Sequence, residues 1–197
     1  ILIPVVIIFI RENMNTRVRG RKDLDDLSVP FIGEIPLAIC GKKKVKSHEA
    51  HTIVVKEGSR DIMNEAFRVL RTNLEFMIGK DRSSNVIVIT SFNPGSGKSF
   101  LTMNIAMSLA IKNKKVLVID GDLRHASASA YIHSPEVGLS NYLGGQVDEL
   151  SDIIVTDKQH PSFSFIPVGT IPPNPTELLF NDRLQDAIHT LKQQYDV

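Results

Sequence analysis

The sequence predicts an α/β fold: a doubly wound, mostly parallel sheet, truncated before its later strands. Three observations lead there. The β-branched run Val86-Ile87-Val88-Ile89-Thr90 is followed by a small-residue loop, Ser91-Phe92-Asn93-Pro94-Gly95-Ser96-Gly97, and then by Lys98-Ser99 opening an apolar helix. A second apolar run, Val116-Leu117-Val118-Ile119, ends in Asp120 and Asp122. Strand-like and helix-like periodicities then alternate, which is the signature of right-handed β-α-β units.

The elements follow in order. Residues 1–10 (Ile-Leu-Ile-Pro-Val-Val-Ile-Ile-Phe-Ile) are wholly apolar. Crossing a bilayer takes about twenty such residues, so this run reads as the end of a transmembrane helix that begins upstream, with a buried strand as the alternative. Arg11, Arg17, Arg19, Arg21 and Lys22 fit its cytoplasmic flank. A signal-peptide core would need basic residues before the run and small ones after it. Residues 11–59 read as a basic juxtamembrane linker. Within it, Val29-Pro30-Phe31-Ile32-Gly33-Glu34-Ile35-Pro36-Leu37 carries two prolines that disfavour helix and suggest a short extended piece docked at an edge. Lys42, Lys43, Lys44 and Lys46 form a solvated loop or a contact with anionic headgroups.

The domain proper is placed at 60–197. Apolar Ile62, Ala66, Val69, Leu70, Leu74 and Met77 recur at helical spacing over 60–78, and Gly79 ends that helix. A buried strand over 86–90, a helix over 97–112 and a buried strand over 116–119 come next. Loops and short helices fill 125–160. A strand over 163–168, a proline-rich loop over 169–175 and a helix over 176–195 complete the reading, with a further strand starting at 195–197. Composition adds little: 42% of residues are hydrophobic, and a net charge of +1 gives no global pull toward nucleic acid. Cys40 is the lone cysteine, so there is no internal disulfide.

Two motifs carry chemistry. The strand–loop–helix at 86–100 has the layout of a phosphate-binding P-loop, which gives the fold P-loop NTPase topology. Asn93, Gly95, Ser96, Gly97, Lys98, Ser99 and Phe100 are the expected nucleotide contacts. Glycines allow close backbone approach, amides at the helix start face the anion, Lys98 reaches the β/γ-phosphates and Ser99 ligates Mg²⁺. Phe92 stands where the strict pattern has glycine. Asp120 and Asp122 sit at the carboxyl end of a buried parallel strand, where such sheets bind ligands. Asp120 is a candidate proton acceptor or holder of a metal-bound water, and Asp122 a Mg²⁺ ligand; a helix N-cap is the alternative for Asp120. No guanine-reading Asn-Lys-x-Asp occurs, which favours ATP. Glu65, Arg68 and Arg71 lie on a slowly drifting helix stripe, read from spacing alone as a solvated face.

Together these motifs resemble those of the bacterial tyrosine kinases (BY-kinases), in the cytoplasmic domain of polysaccharide co-polymerase autokinases. The loop Pro94-Gly95-Ser96-Gly97-Lys98-Ser99 looks like the family's P-loop, and Asp120-Gly121-Asp122-Leu123-Arg124 is similar to its second acidic motif. Glu65-x-x-Arg68-x-x-Arg71 matches its E-x-x-R-x-x-R helix. Gly169-Thr170-Ile171-Pro172-Pro173-Asn174-Pro175-Thr176-Glu177-Leu178-Leu179 looks like its G-x-x-P-P-N-P-x-E-L-L loop, and Gly33-Glu34-Ile35-Pro36 resembles its juxtamembrane stretch.

The resemblance implies an ATP- and Mg²⁺-dependent tyrosine autokinase at the bacterial inner membrane, facing the cytoplasm. It implies a homo-oligomeric ring formed through Glu65, Arg68 and Arg71, with catalysis by Lys98, Asp120 and Asp122. Polysaccharide export and polymerisation machinery and a tyrosine phosphatase are the implied partners. His125 and Ala126 replace the family's usual Arg and Pro. The family's next acidic strand and its tyrosine cluster would follow Val197, and Tyr131, Tyr142 and Tyr195 read as packed. A Min- or partition-type ATPase shares the fold, but Asn93 and Pro94 stand where its loop has lysine and glycine. A nucleotide-binding, non-catalytic chain-length regulator is the other reading.

Overall fold

The computed structural model describes residues 2–14, 20–24, 28–36, 51–79 and 86–197. Arg17, Arg19, Leu37, Cys40 and the lysines at 42–46 lie outside them. The chain divides into two units, 1–34 and 35–197. In the first, the apolar opening run is a helix, α1 (Leu2–Asn13), rather than the alternative strand, and Val5, Val6, Ile7, Phe9 and Ile10 are exposed on it. Among the described residues no helix is long and apolar enough to cross a membrane.

In the second unit, residues 52–56 precede the first long helix without regular secondary structure of their own. Two asparagines hold them. Asn104 Oδ1 accepts from the amides of Val54 (2.7 Å) and Val55 (3.0 Å). Asn64 Oδ1 accepts from the Lys56 amide at 2.8 Å. Asp61 then caps α2 (Ile62–Ile78) by accepting from the Asn64 amide at 2.9 Å, and Gly79 closes the helix. The buried face of α2 differs from the predicted one: Asn64, Phe67, Leu70 and Arg71 are buried, whereas Ile62, Val69 and Met77 are exposed. Asn64 is partnered by residues 52–56 and Arg71 Nη1 by the next helix, while among the described residues Arg71 Nε is buried without a partner. Helix α3 (Lys98–Ala110) is buried from Met103 onward, between α2 and the sheet.

Strand β1 (Val116–Ile119) pairs in parallel with β3 (Phe163–Ile166), Val116 opposite Phe163 and Ile119 opposite Ile166. A short strand that the sequence reading left as loop, β2 (Val155–Thr156), adds antiparallel to the far edge of β3. On the other edge of β1, the Leu117 amide donates to Val197 O at 3.0 Å and the Val197 amide to Lys115 O at 3.3 Å. That is the start of a parallel ladder, as predicted for 195–197.

Residues 86–90 correct the prediction of a buried strand. Among the described residues they join no ladder and carry no regular secondary structure, and Val86 and Val88 are 57% and 83% exposed. With β3 on one edge of β1 and residue 197 on the other, 86–90 does not pair directly with β1.

Leu117 and Ile119 pack on a cluster containing Leu123, Leu143, Ile153, Ile166, Val168 and Leu191. Alternate residues of a strand point to opposite faces, so Val116 and Val118 face α3. Helices therefore cover both faces of the sheet. The second layer contains α4 (Leu139–Leu143), α5 (Pro175–Leu179) and α6 (Asp182–Leu191). The single helix predicted for 176–195 is thus two. Asn181 breaks it by accepting from the Arg183 amide (3.0 Å), capping α6. Where β3 runs on into the proline-rich loop, α4 approaches so closely that a Cβ on Gly138 would lie 2.3 Å from Pro167 O.

Candidate active site

Gly97 sits at the head of α3 with φ +89°, and Gly95 in the turn before it has φ +73°. Both are conformations that an L side chain resists. They turn the chain sharply enough for α3 to begin at Lys98. Within the loop, Ser96 Oγ donates to Asn93 O (2.6 Å), as does Ser91 Oγ (2.9 Å), so the turn is closed on itself. Lys98 Nζ donates to Ser91 Oγ at 3.2 Å, folding the side chain back along the loop. Ser99 and Phe100 are half-buried in the first turn of α3, and Phe100 meets Phe67 edge-on at 5.8 Å. Phe92 is fully exposed, so the residue replacing the pattern's first glycine points away from the loop's packing.

Asp120 is buried at the end of β1, its backbone amide donating to Ile166 O at 3.0 Å. Its carboxylate is engaged as well. Oδ2 accepts from the Ser129 amide (2.8 Å) and the Ser129 hydroxyl (2.7 Å), and Oδ1 accepts from the Asp122 amide (3.2 Å). The carboxylate thus holds the first residue of the 3-10 turn Ser129–Ile132, whose N-cap is Ala128 rather than Asp120. Asp122 is more open. Its Oδ1 faces the amide (3.2 Å) and Nδ1 (3.3 Å) of His125. Ala126 has φ +49°, which the ring of a proline forbids. A proline here could not adopt this turn, so its conformation depends on Ala126.

Connectivity relates the two motifs. Helix α3 has 13 residues, about 20 Å at the usual rise. It packs on β1 and reaches it through the short turn at 111–115. The two elements must therefore run antiparallel. The Lys98 end of α3 and the Asp120 end of β1 lie at the same end of the layered unit.

The third predicted group divides. Glu65 and Arg68 are exposed and form an ion pair. Arg71 is buried, its Nη1 donating to Ser108 O (2.9 Å) and Ser108 Oγ (3.2 Å) of α3. Each step of three residues falls about 60° short of a full turn, so Arg71 is about 120° round from Glu65 and points inward. The three tyrosines are packed as predicted: Tyr142 is buried, Tyr195 lies against the core, and Tyr131 is half-buried with His51 edge-on at 5.3 Å. Burial raises the Tyr131 phenol above its ordinary pKa of 10.0. Sequence reasoning missed Asn64, Asn104 and Ser129; serine and asparagine are too common in helices and turns to signal such roles.

A glycine turn opening a helix at Lys98, with two carboxylates at the neighbouring strand's end, defines a P-loop nucleotide-binding domain. Comparison with known proteins agrees. The CobQ/CobB/MinD/ParA nucleotide binding domain family matches residues 87–195. Escherichia coli K12 tyrosine-protein kinase Etk is 40% identical over 137 residues, covering 68% of this chain and 18% of that protein. Salmonella typhimurium tyrosine-protein kinase wzc is 28% identical over 206 residues, covering all of this chain and 28% of that protein. The solved kinase domain of Escherichia coli tyrosine kinase ETK superposes with a TM-score of 0.76 at 31% identity, over 92% of this chain and 71% of that one. The BceF tyrosine kinase domain gives 0.71 at 37%, over 85% and 69%. The chain belongs to this nucleotide-binding family and, within it, to the bacterial tyrosine kinases. It spans less than a third of the length of the curated relatives quoted.

Proposed function

We propose that this chain forms the ATP site of a protein-tyrosine autokinase that regulates capsular or exopolysaccharide synthesis and export. The observation that carries the reading is the common end shared by Lys98 on α3 and Asp120 on β1, in a chain 37% identical to a tyrosine kinase domain. Phosphoryl transfer asks for alignment and charge neutralisation more than covalent participation. Amides of the 95–99 turn would cradle the phosphates, and Lys98 would leave Ser91 to meet the transferred group. Asp120 would accept the tyrosine proton or hold a water.

The oxygen donors of Ser99, Asp120 and Asp122 suit a hard cation. Among the described residues no group of three or more His, Cys, Asp or Glu gathers around a common point. Ser99, Asp120 and Asp122 would hold a Mg²⁺ ion brought in with the nucleotide. Bound there, it would neutralise charge on the β- and γ-oxygens.

Around this core the reading places residues 1–10 as the end of a membrane helix, residues 11–59 as a cytoplasmic linker and 60–197 as a cytoplasmic kinase domain. Assembly runs through the outer face of α2, where Glu65 and Arg68 flank exposed Ile62, Val69 and Phe76 at seven-residue spacing. Arg71 serves from inside by tying that helix to α3. Polysaccharide polymerisation and export machinery and a tyrosine phosphatase are the partners this function requires.

The test uses the complete protein with γ-labelled ATP, reading phosphotyrosine. Label is expected on tyrosine in the wild type, and none in Lys98→Met, which should bind its partners and fold unchanged. Unaltered labelling of Lys98→Met would refute the role of the loop. ATP hydrolysis without phosphotyrosine would favour a Min-type ATPase, and binding without turnover a non-catalytic regulator.

A further inference from the structure

We infer that Ser129 is a positioning residue for Asp120 and fixes which carboxylate oxygen faces the reaction. This rests on the role of Asp120 proposed above. An ionised carboxylate offers about four acceptor sites, two per oxygen. On Asp120, Oδ2 uses both of its sites on Ser129: the amide at 2.8 Å and the hydroxyl at 2.7 Å. Among the described residues Oδ1 accepts only the Asp122 amide, at a longer 3.2 Å. One acceptor site is therefore left, and it belongs to Oδ1.

The hydroxyl's orientation is determined too. The Val168 amide donates to Ser129 Oγ at 2.9 Å. An amide cannot accept, so the serine proton is directed to the carboxylate. Ser129 is 1% exposed, which keeps water from replacing either bond. The chain of contacts runs from the strand extension at Val168 through Ser129 to Asp120, while the Asp120 amide is itself held on Ile166 O. Held from both sides, the carboxylate cannot rotate to offer two oxygens together. Asp120 therefore acts through one oxygen, either toward a tyrosine hydroxyl or toward a metal-bound water, and not as a bidentate ligand.

The experiment compares Ser129→Ala, Ser129→Cys and Ser129→Thr in the complete protein, with Asp120→Asn as control. Kinetics with ATP are paired with a second readout: Mn²⁺ affinity in the presence of ADP, measured by electron paramagnetic resonance. Ser129→Ala is expected to lower kcat 10- to 100-fold, with KM for ATP within about twofold of wild type and Mn²⁺ bound about tenfold more weakly. Ser129→Thr, which keeps the hydroxyl, is expected to recover most of both. Ser129→Cys keeps the volume and offers only a weak donor, so it stands in if the alanine variant does not fold, with the same direction of effect. A kcat and Mn²⁺ affinity within twofold of wild type in Ser129→Ala or Ser129→Cys, alongside an inactive Asp120→Asn, would overturn this inference alone. An Asp120→Asn protein with unchanged phosphorylation would overturn it together with the catalytic role of Asp120.

Discussion

Asp61 shows how much local structure one side chain can organise. Its carboxylate caps α2 through the Asn64 amide and accepts from Ser59 Oγ (2.6 Å) and Asn64 Nδ2 (2.7 Å). The Ser59 bond, then the Asn64 amide, lower its pKa from 3.8 to about 2. A carboxyl depressed in the folded state stabilises fully above its unfolded pKa and loses that contribution as pH falls through the folded one. The melting-temperature gap between wild type and Asp61→Ala is therefore expected to be constant from pH 7 to 5 and to narrow from about pH 4 to pH 2. A gap that stays constant over the whole range would contradict the charged cap. Asn64 and Asn104 are the complement, two buried amides that hold residues 54–56 by their backbone. Their role was invisible in the sequence, because an asparagine on a helix is usually solvated and nothing in its neighbours says otherwise.

At the scale of elements, periodicity located helices and strands well but assigned burial less well. The strand at 116–119, the helix ending at Gly79 and the helix beginning at Lys98 were legible because their signals are local: a β-branched run, a glycine stop, a glycine turn before an apolar helix. The face of α2 was not legible. Which stripe faces inward depends on α3 and on residues 52–56, and those contacts draw in Asn64 and Arg71 while leaving Ile62, Val69 and Phe76 outside. The run at 86–90 has strand composition, yet a strand is completed only by neighbours. The break at Asn181 follows from a single cap that a continuous helical pattern conceals. The exposed outer face of α2 is where assembly is expected. Arg68→Glu, which places two like charges beside each other with Glu65, should turn oligomers into monomers in sedimentation velocity. The fold of the domain should be unchanged, since Arg68 is exposed. An oligomer that survives this reversal would remove α2 as the contact.

For the whole molecule, the layered arrangement matters more than any single motif. Sheet order β1-β3-β2, with α3 on one face and α4 to α6 on the other, leaves the start of α3 and the acidic end of β1 at the same end of the layers. Both motifs were readable in the sequence, and so was the family; their common end follows from the short α3-to-β1 connection. The detailed state of Asp120 was not readable, because its partner Ser129 lies nine residues away at the start of a short 3-10 turn that no sequence signal marks. The most direct measurement is a titration of the complete protein with a fluorescent ATP analogue, with and without Mg²⁺, for wild type and Asp122→Ala. If loop and carboxylates serve one magnesium–nucleotide complex, Mg²⁺ should tighten wild-type binding about tenfold or more, and Asp122→Ala should lose that gain while keeping its Mg²⁺-free affinity. An Asp122→Ala protein that gains as much from Mg²⁺ as wild type would contradict the account.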